Sequence, residues 1–146
     1  MPKLLILLYF YSAIILAEPF KLVTGANYPP YTDPALPDGG LATALVKKTM
    51  TQAQLPYDLK WLPWANGYSA TLKGKYIATF PYISTPERRQ LFDYSDPLFV
   101  IEIRVFALKG SQLDGTKLNT LEGKRYCHPI GWAFLSQIEI MINKGQ

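Results

Sequence analysis

Leu41-Ala42-Thr43-Ala44-Leu45-Val46-Lys47-Lys48-Thr49-Met50-Thr51-Gln52-Ala53, ended by Pro56 and followed at once by Tyr57-Asp58-Leu59-Lys60-Trp61-Leu62, decides the fold class. Ala42, Val46, Met50 and Ala53 recur at helical spacing with Leu41 and Leu45 beside them, and proline cannot continue the helix. Tyr57 to Leu62 then has the length and residue types of a strand. Upstream, Lys21 to Gly25 alternates weakly and is β-prone through Leu22, Val23 and Thr24. The intervening residues, Asn27-Tyr28-Pro29-Pro30-Tyr31, Asp33-Pro34 and Pro37-Asp38-Gly39-Gly40, are loop by turn chemistry. Downstream, Trp64 to Lys73 reads as a short helix stopped by Gly74, and Tyr76 to Phe80 as a third strand. Strands alternating with helices in this rhythm predict βαβ units, a mainly parallel sheet and an α/β fold.

Beyond Phe80, Thr85-Pro86-Glu87-Arg88-Arg89 carries the signals of a helical turn, with Thr as N-cap, Pro at the first position and an acid next. Leu98 to Leu108 is a β-rich stretch interrupted only by Glu102 and Arg104. A Gly/Ser/Asp-rich linker runs from Lys109 to Asn119, and a strand is expected at Lys124 to Cys127. A last amphipathic helix is expected from Trp132 to about Ile142. One strand and one helix after the linker cannot enclose a core, because no second layer covers their apolar faces. The chain is therefore expected to stop inside a second domain.

The 146 residues are 49% hydrophobic and 18% charged, the balance of a globular protein, and their number suits one ordinary domain. The net charge of +4 is spread among acids without a run of like charge, which argues against a nucleic-acid partner. At the N-terminus Lys3, the uncharged run Leu4 to Leu16, and Ala17 before Glu18 have the order of a secretory signal over residues 1–17. The run is short for a membrane span, which makes an uncleaved anchor the lesser alternative, and Ile15 at the third position before the cut leaves the cleavage point open. Removing these residues takes away one lysine and leaves a charge of +3. The single cysteine, Cys127, allows no internal disulfide. With His128 it suggests no metal site, since neighbours on a strand face opposite ways and no third ligand is near; a packed thiol beside a surface imidazole is expected.

Several segments in order then match a known family. Tyr28-Pro29-Pro30-Tyr31 follows the early strand, and Gly40-Leu41 opens the first helix. Leu72-Lys73-Gly74-Lys75-Tyr76, Thr85-Pro86-Glu87-Arg88, Phe92-Asp93-Tyr94-Ser95-Asp96-Pro97-Leu98 and Leu121-Glu122-Gly123-Lys124 come after. From about Phe20 to Gly131 the chain resembles family three of the bacterial periplasmic solute-binding proteins, the polar amino-acid receptors of ABC transporters. The resemblance implies a periplasmic-binding-protein-like bilobed α/β fold with lobe one mostly present and lobe two only begun. Residues 18–99 would be lobe one, 100–118 a crossover strand and linker, and 119–146 the start of lobe two. It also implies a monomer in the periplasm, a small amino-acid-like solute as ligand, ABC transporter membrane subunits as partners, and no cofactor.

The same resemblance places the site. An unpaired buried carboxylate is very costly, and a guanidinium fork meets it with two parallel hydrogen bonds. That role falls on Arg88, with Arg89 left in solvent. Thr85 caps the turn and is a candidate ligand donor. Tyr28 and Trp64 fall at the family's two aromatic wall positions, although Trp61 competes with Trp64. Gly131 and Trp132 occupy the turn whose backbone N–H groups receive the ligand carboxylate at a helix start. Ile83 stands where a small hydroxyl or glycine is common and Ile77 where an aspartate is usual, which favours a more apolar or aromatic solute. The acid that anchors the ligand ammonium would lie beyond Gln146. Two other readings stay open: an enzyme of the same fold, of the cyclohexadienyl-dehydratase type, and a remnant without binding activity. With half the cleft missing, the chain alone is expected to bind solute weakly or not at all.

Overall fold

The computed structural model describes residues 18–114 and 116–145. The expected signal segment, residues 1–17, lies outside them. Three strands, β1 (Phe20–Thr24), β2 (Tyr57–Trp61) and β3 (Ala78–Phe80), form a parallel sheet in the order β2-β1-β3. Phe20 pairs with Tyr57 through to Thr24 with Trp61, and Leu22 to Thr24 pair with Ala78 to Phe80. Helix α1 (Leu41–Gln52) connects β1 to β2, and α2 (Trp64–Leu72) connects β2 to β3. The α/β class and parallel pairing expected from the alternation are present.

The central strand carries the densest burial because it has neighbours on both edges. Val23 is fully buried, and Leu22, Thr24 and Phe80 are nearly so. The Thr24 hydroxyl donates to the Phe80 carbonyl at 2.7 Å, which ties the end of β1 to the end of β3. On α1, Ala42 and Thr43 face inward, whereas Leu41 and Leu45 look outward. The proline loop is joined to the start of this helix. Leu41 and Ala42 donate their backbone N–H groups to the carbonyls of Pro30 and Tyr31, satisfying two donors that a helix start leaves free.

After β3 come a one-turn helix α3 (Pro86–Arg89), a 3-10 turn (Leu118–Leu121) and α4 (Ser136–Asn143). Ile138 on α4 is the one buried hydrophobic residue described beyond Phe80. Leu98–Leu108, read as a β-rich stretch, and Lys124–Cys127, expected as a strand, lie in no strand. A strand needs a hydrogen-bonding neighbour, and the described residues offer none to either segment. The last helix begins at Ser136, not at Trp132, because Pro129 to Trp132 form a turn and Leu135 is extended. The pairing at Cys127-His128 is also the reverse of that expected. The thiol is exposed, and the imidazole packs edge-on against Phe134 with 3.8 Å between ring centroids.

Candidate functional site

The site begins at the cap of α3. Thr85 is extended and its hydroxyl oxygen accepts the backbone N–H of Arg88 at 3.3 Å, as the Thr-Pro-Glu-Arg pattern predicts. The Thr85 hydroxyl in turn holds the Glu87 carboxyl below its ordinary value of 4.5, helped by the backbone N–H of Glu87. This turn fixes the start of the Arg88 side chain. Its guanidinium then lies over two rings, 5.4 Å from the centroids of both Tyr68 and Tyr82. Each such contact contributes roughly 0.5–1 kcal/mol at a partly exposed position.

Two of the five guanidinium N–H donors are engaged by carbonyls. Nη1 donates to Ile83 at 3.0 Å, and Nη2 donates to Gly131, forty-three positions along the chain, also at 3.0 Å. Arg88 thus joins the segment after β3 to the segment before α4. Between them is a cleft of about 360 Å³, lined by Tyr68, Arg88 and Trp132 together with Phe134, Glu87 and Glu139. Ala65, Thr85, Gly131 and Ala133 complete its wall.

Rings continue from the cleft as a connected cluster. Tyr82 meets Trp64 edge-on at 5.4 Å, and Trp64 meets Tyr28 at 6.0 Å. Tyr28 meets Trp132 at 5.0 Å and Tyr31 at 5.2 Å. Such edge-to-face and tilted pairs add about 0.5–1.5 kcal/mol each to the burial they provide. Hydrogen bonds hold the cluster to the backbone: the Trp64 indole N–H donates to Ala26 at 3.0 Å, and the Tyr82 hydroxyl to the Trp64 carbonyl at 2.7 Å. Gly25 makes room for the indole, since a Cβ there would come within 2.4 Å of the Trp64 ring. Burial raises the Tyr82 phenol above its ordinary 10.0, outweighing the opposing pull of the Arg88 charge.

Of the seven residues expected at the site, four line the cleft: Arg88, Thr85, Gly131 and Trp132. Tyr28 and Trp64 belong to the adjoining aromatic cluster and not to the cleft wall. Ile83 contributes its carbonyl to Arg88, while its side chain is exposed. Gly131 and Trp132 do not present the expected pair of N–H donors. Gly131 turns its carbonyl to Arg88, and the Trp132 N–H is taken by the Pro129 carbonyl at 3.2 Å. The cause is the turn itself, which delays the helix to Ser136 and so removes the free N–H groups of a helix start from this point.

Tyr68, Phe134 and Glu139 line the cleft without having been singled out from the sequence. A signal for Tyr68 exists: it lies three positions after Ala65 on α2, on the same helical face. Among the described residues no group of three His, Cys, Asp or Glu side chains could hold a metal ion. No helix of the described residues is long and apolar enough to cross a membrane. Comparison with protein-family models, with curated proteins and with solved structures finds no match. Fold and site together define a small α/β protein in which a parallel sheet carries an arginine-and-aromatic cleft.

Proposed function

We propose that the chain binds a small amino-acid-like solute, as the ligand-capturing part of a bilobed receptor exported to the periplasm that hands its cargo to ABC transporter membrane subunits. The observation that carries the reading is the placement of Arg88, a cation lying over two adjacent tyrosine rings at the seam between residues 83–88 and 131–134. Three of its N–H donors are not taken by Ile83 and Gly131, and a carboxylate is the group such a fork receives best. Trp132, Phe134 and Tyr68 offer apolar surface for a side chain. Glu87 and Glu139 line the same cleft and give an ammonium its counter-charge within this chain, where the family resemblance would have placed it further on. Residues 18–99 and 119–146 would then be parts of opposite lobes closing on the solute. A general acid at neutral pH needs a raised carboxyl, and Glu87 is shifted the other way by the Thr85 hydroxyl.

The test is a titration of the isotope-labelled chain with zwitterionic amino acids, followed by amide and tryptophan indole shifts. Aromatic and branched apolar amino acids should shift Arg88, Gly131 and Trp132, with weak affinity, while matched amines lacking the carboxylate do not. Arg88→Lys keeps the charge but loses the fork, and should weaken binding by about tenfold. Unchanged affinity in Arg88→Lys and Arg88→Gln, or no response to any amino acid or small carboxylate, would refute the proposal.

A further inference from the structure

Residues 98–108, Leu-Phe-Val-Ile-Glu-Ile-Arg-Val-Phe-Ala-Leu, are outside every strand and helix. No backbone group of residues 99–107 exchanges a hydrogen bond with the described residues. The side chains nevertheless divide into two faces with the period of a strand. Phe99 and Ile101 are half-buried, with Phe99 5.2 Å from the Tyr31 ring, and Ile103 and Val105 are 41% and 37% exposed. Val100, Phe106 and Leu108 point away and are 94%, 91% and 87% exposed. Glu102 and Arg104 share this outer face and pair with one another, as side chains two apart on a strand do.

The order of residues is close to a palindrome about Ile103. Laid antiparallel against a second copy with Ile103 opposite Ile103, Leu98 meets Leu108, Val100 meets Phe106 and Ile101 meets Val105. In that register Glu102 stands opposite the Arg104 of the second copy, twice, by symmetry. Cross-strand pairs of these kinds are the unit that stabilises a sheet. A parallel in-register pairing would set Glu102 against Glu102 and Arg104 against Arg104, and is disfavoured by the same charges. Unpaired N–H and C=O groups along a hydrophobic strand-forming segment are a template for another strand.

From this we infer that residues 98–108 form an antiparallel two-stranded interface with a second copy of this chain, its two-fold axis passing through Ile103. The inference uses none of the residues that line the cleft, and it departs from the monomer that the family resemblance implies. The interface is isologous, so a single charge reversal changes two pairs at once.

Sedimentation of the chain over a range of concentrations, with Glu102→Arg and Arg104→Glu made separately, tests it. The parent chain should pass from monomer to dimer as concentration rises. Each reversal alone places like charges opposite one another and should weaken the dimer by about tenfold or more. An equimolar mixture of the two variants restores both Glu–Arg pairs and should recover the dimer as a heterodimer. Circular dichroism of the exposed-site variants checks that each keeps the parent fold. A parent chain that stays monomeric, association indifferent to either reversal, or a mixture no tighter than its separate components would overturn the inference.

Discussion

Gly131 combines a φ of +87° with an approach so close that a Cβ would lie 3.0 Å from the backbone nitrogen of Ala65. Left-handed backbone costs a residue with a Cβ about 1–2 kcal/mol, and here a contact is added. Gly74 has φ of +73° but open space around it. Gly131→Ala should therefore lower the denaturation midpoint more than Gly74→Ala does, and should also displace the carbonyl that receives Arg88. Tyr82 gives a second prediction at this scale. Its raised pKa means that the folded chain holds the phenol proton more tightly than the unfolded chain does. That stabilisation is complete below pH 10.0 and is lost as pH rises through the higher folded value. Tyr82→Phe should remove one late-titrating phenol from the ultraviolet phenolate titration. Loss of its hydrogen bond to Trp64 should cost about 1 kcal/mol. Arg88 was singled out through the family resemblance, on a capped turn whose signals are local in the sequence. Its contact with Gly131 could not be read, since nothing in the sequence shows which carbonyl faces which guanidinium.

Among the elements, α3 owes its placement to its cap more than to its length of four residues. Thr85→Ala should cost about 1 kcal/mol and Thr85→Ser much less, read from chemical denaturation. The same substitution reports through Glu87. A carboxyl held below 4.5 contributes stability above pH 4.5 that fades as pH falls through the lower folded value. In Thr85→Ala the Glu87 carboxyl midpoint, followed by carbon NMR, should move up toward 4.5, while Thr85→Ser leaves it low. The three strands and two longer helices up to Phe80 were legible because each carries its own period and its own stop, as α1 does between Gly40 and Pro56. Strand β3 nevertheless begins at Ala78 and not at Tyr76, and the 3-10 turn Pro37–Gly39 was read as loop. Leu98–Leu108 is β-rich in composition and forms no strand for a physical reason. Side-chain alternation records a propensity for pairing, whereas a ladder also requires a neighbour.

For the molecule as a whole, burial is concentrated in the sheet and thin elsewhere. Leu22 and Val23 lie between two hydrogen-bonded neighbours, whereas residues 99–107 have no backbone partner in the described chain. Amide hydrogen exchange in dilute solution should be slowest in β1 and fast through residues 99–107. Raising the concentration should protect alternate amides of 99–107 if two copies pair there, and leave β1 unchanged. The α/β class could be read before any coordinates, but the ring cluster that joins distant segments could not. Tyr28, Trp64 and Trp132 come from three separate parts of the chain, and helical or strand periodicity says nothing about where such parts meet.

The edge-on contact between Trp132 and Tyr28 gives the protein an optical gauge of its own. The two chromophores sit on segments about a hundred positions apart in sequence, and energy passes from tyrosine to tryptophan only while they stay close. The difference in tyrosine-excited emission between the parent chain and Trp132→Phe, which keeps Trp61 and Trp64, isolates the share that reaches Trp132. It therefore reports, without any added label, whether the segment before α4 is seated against the proline loop or has swung away.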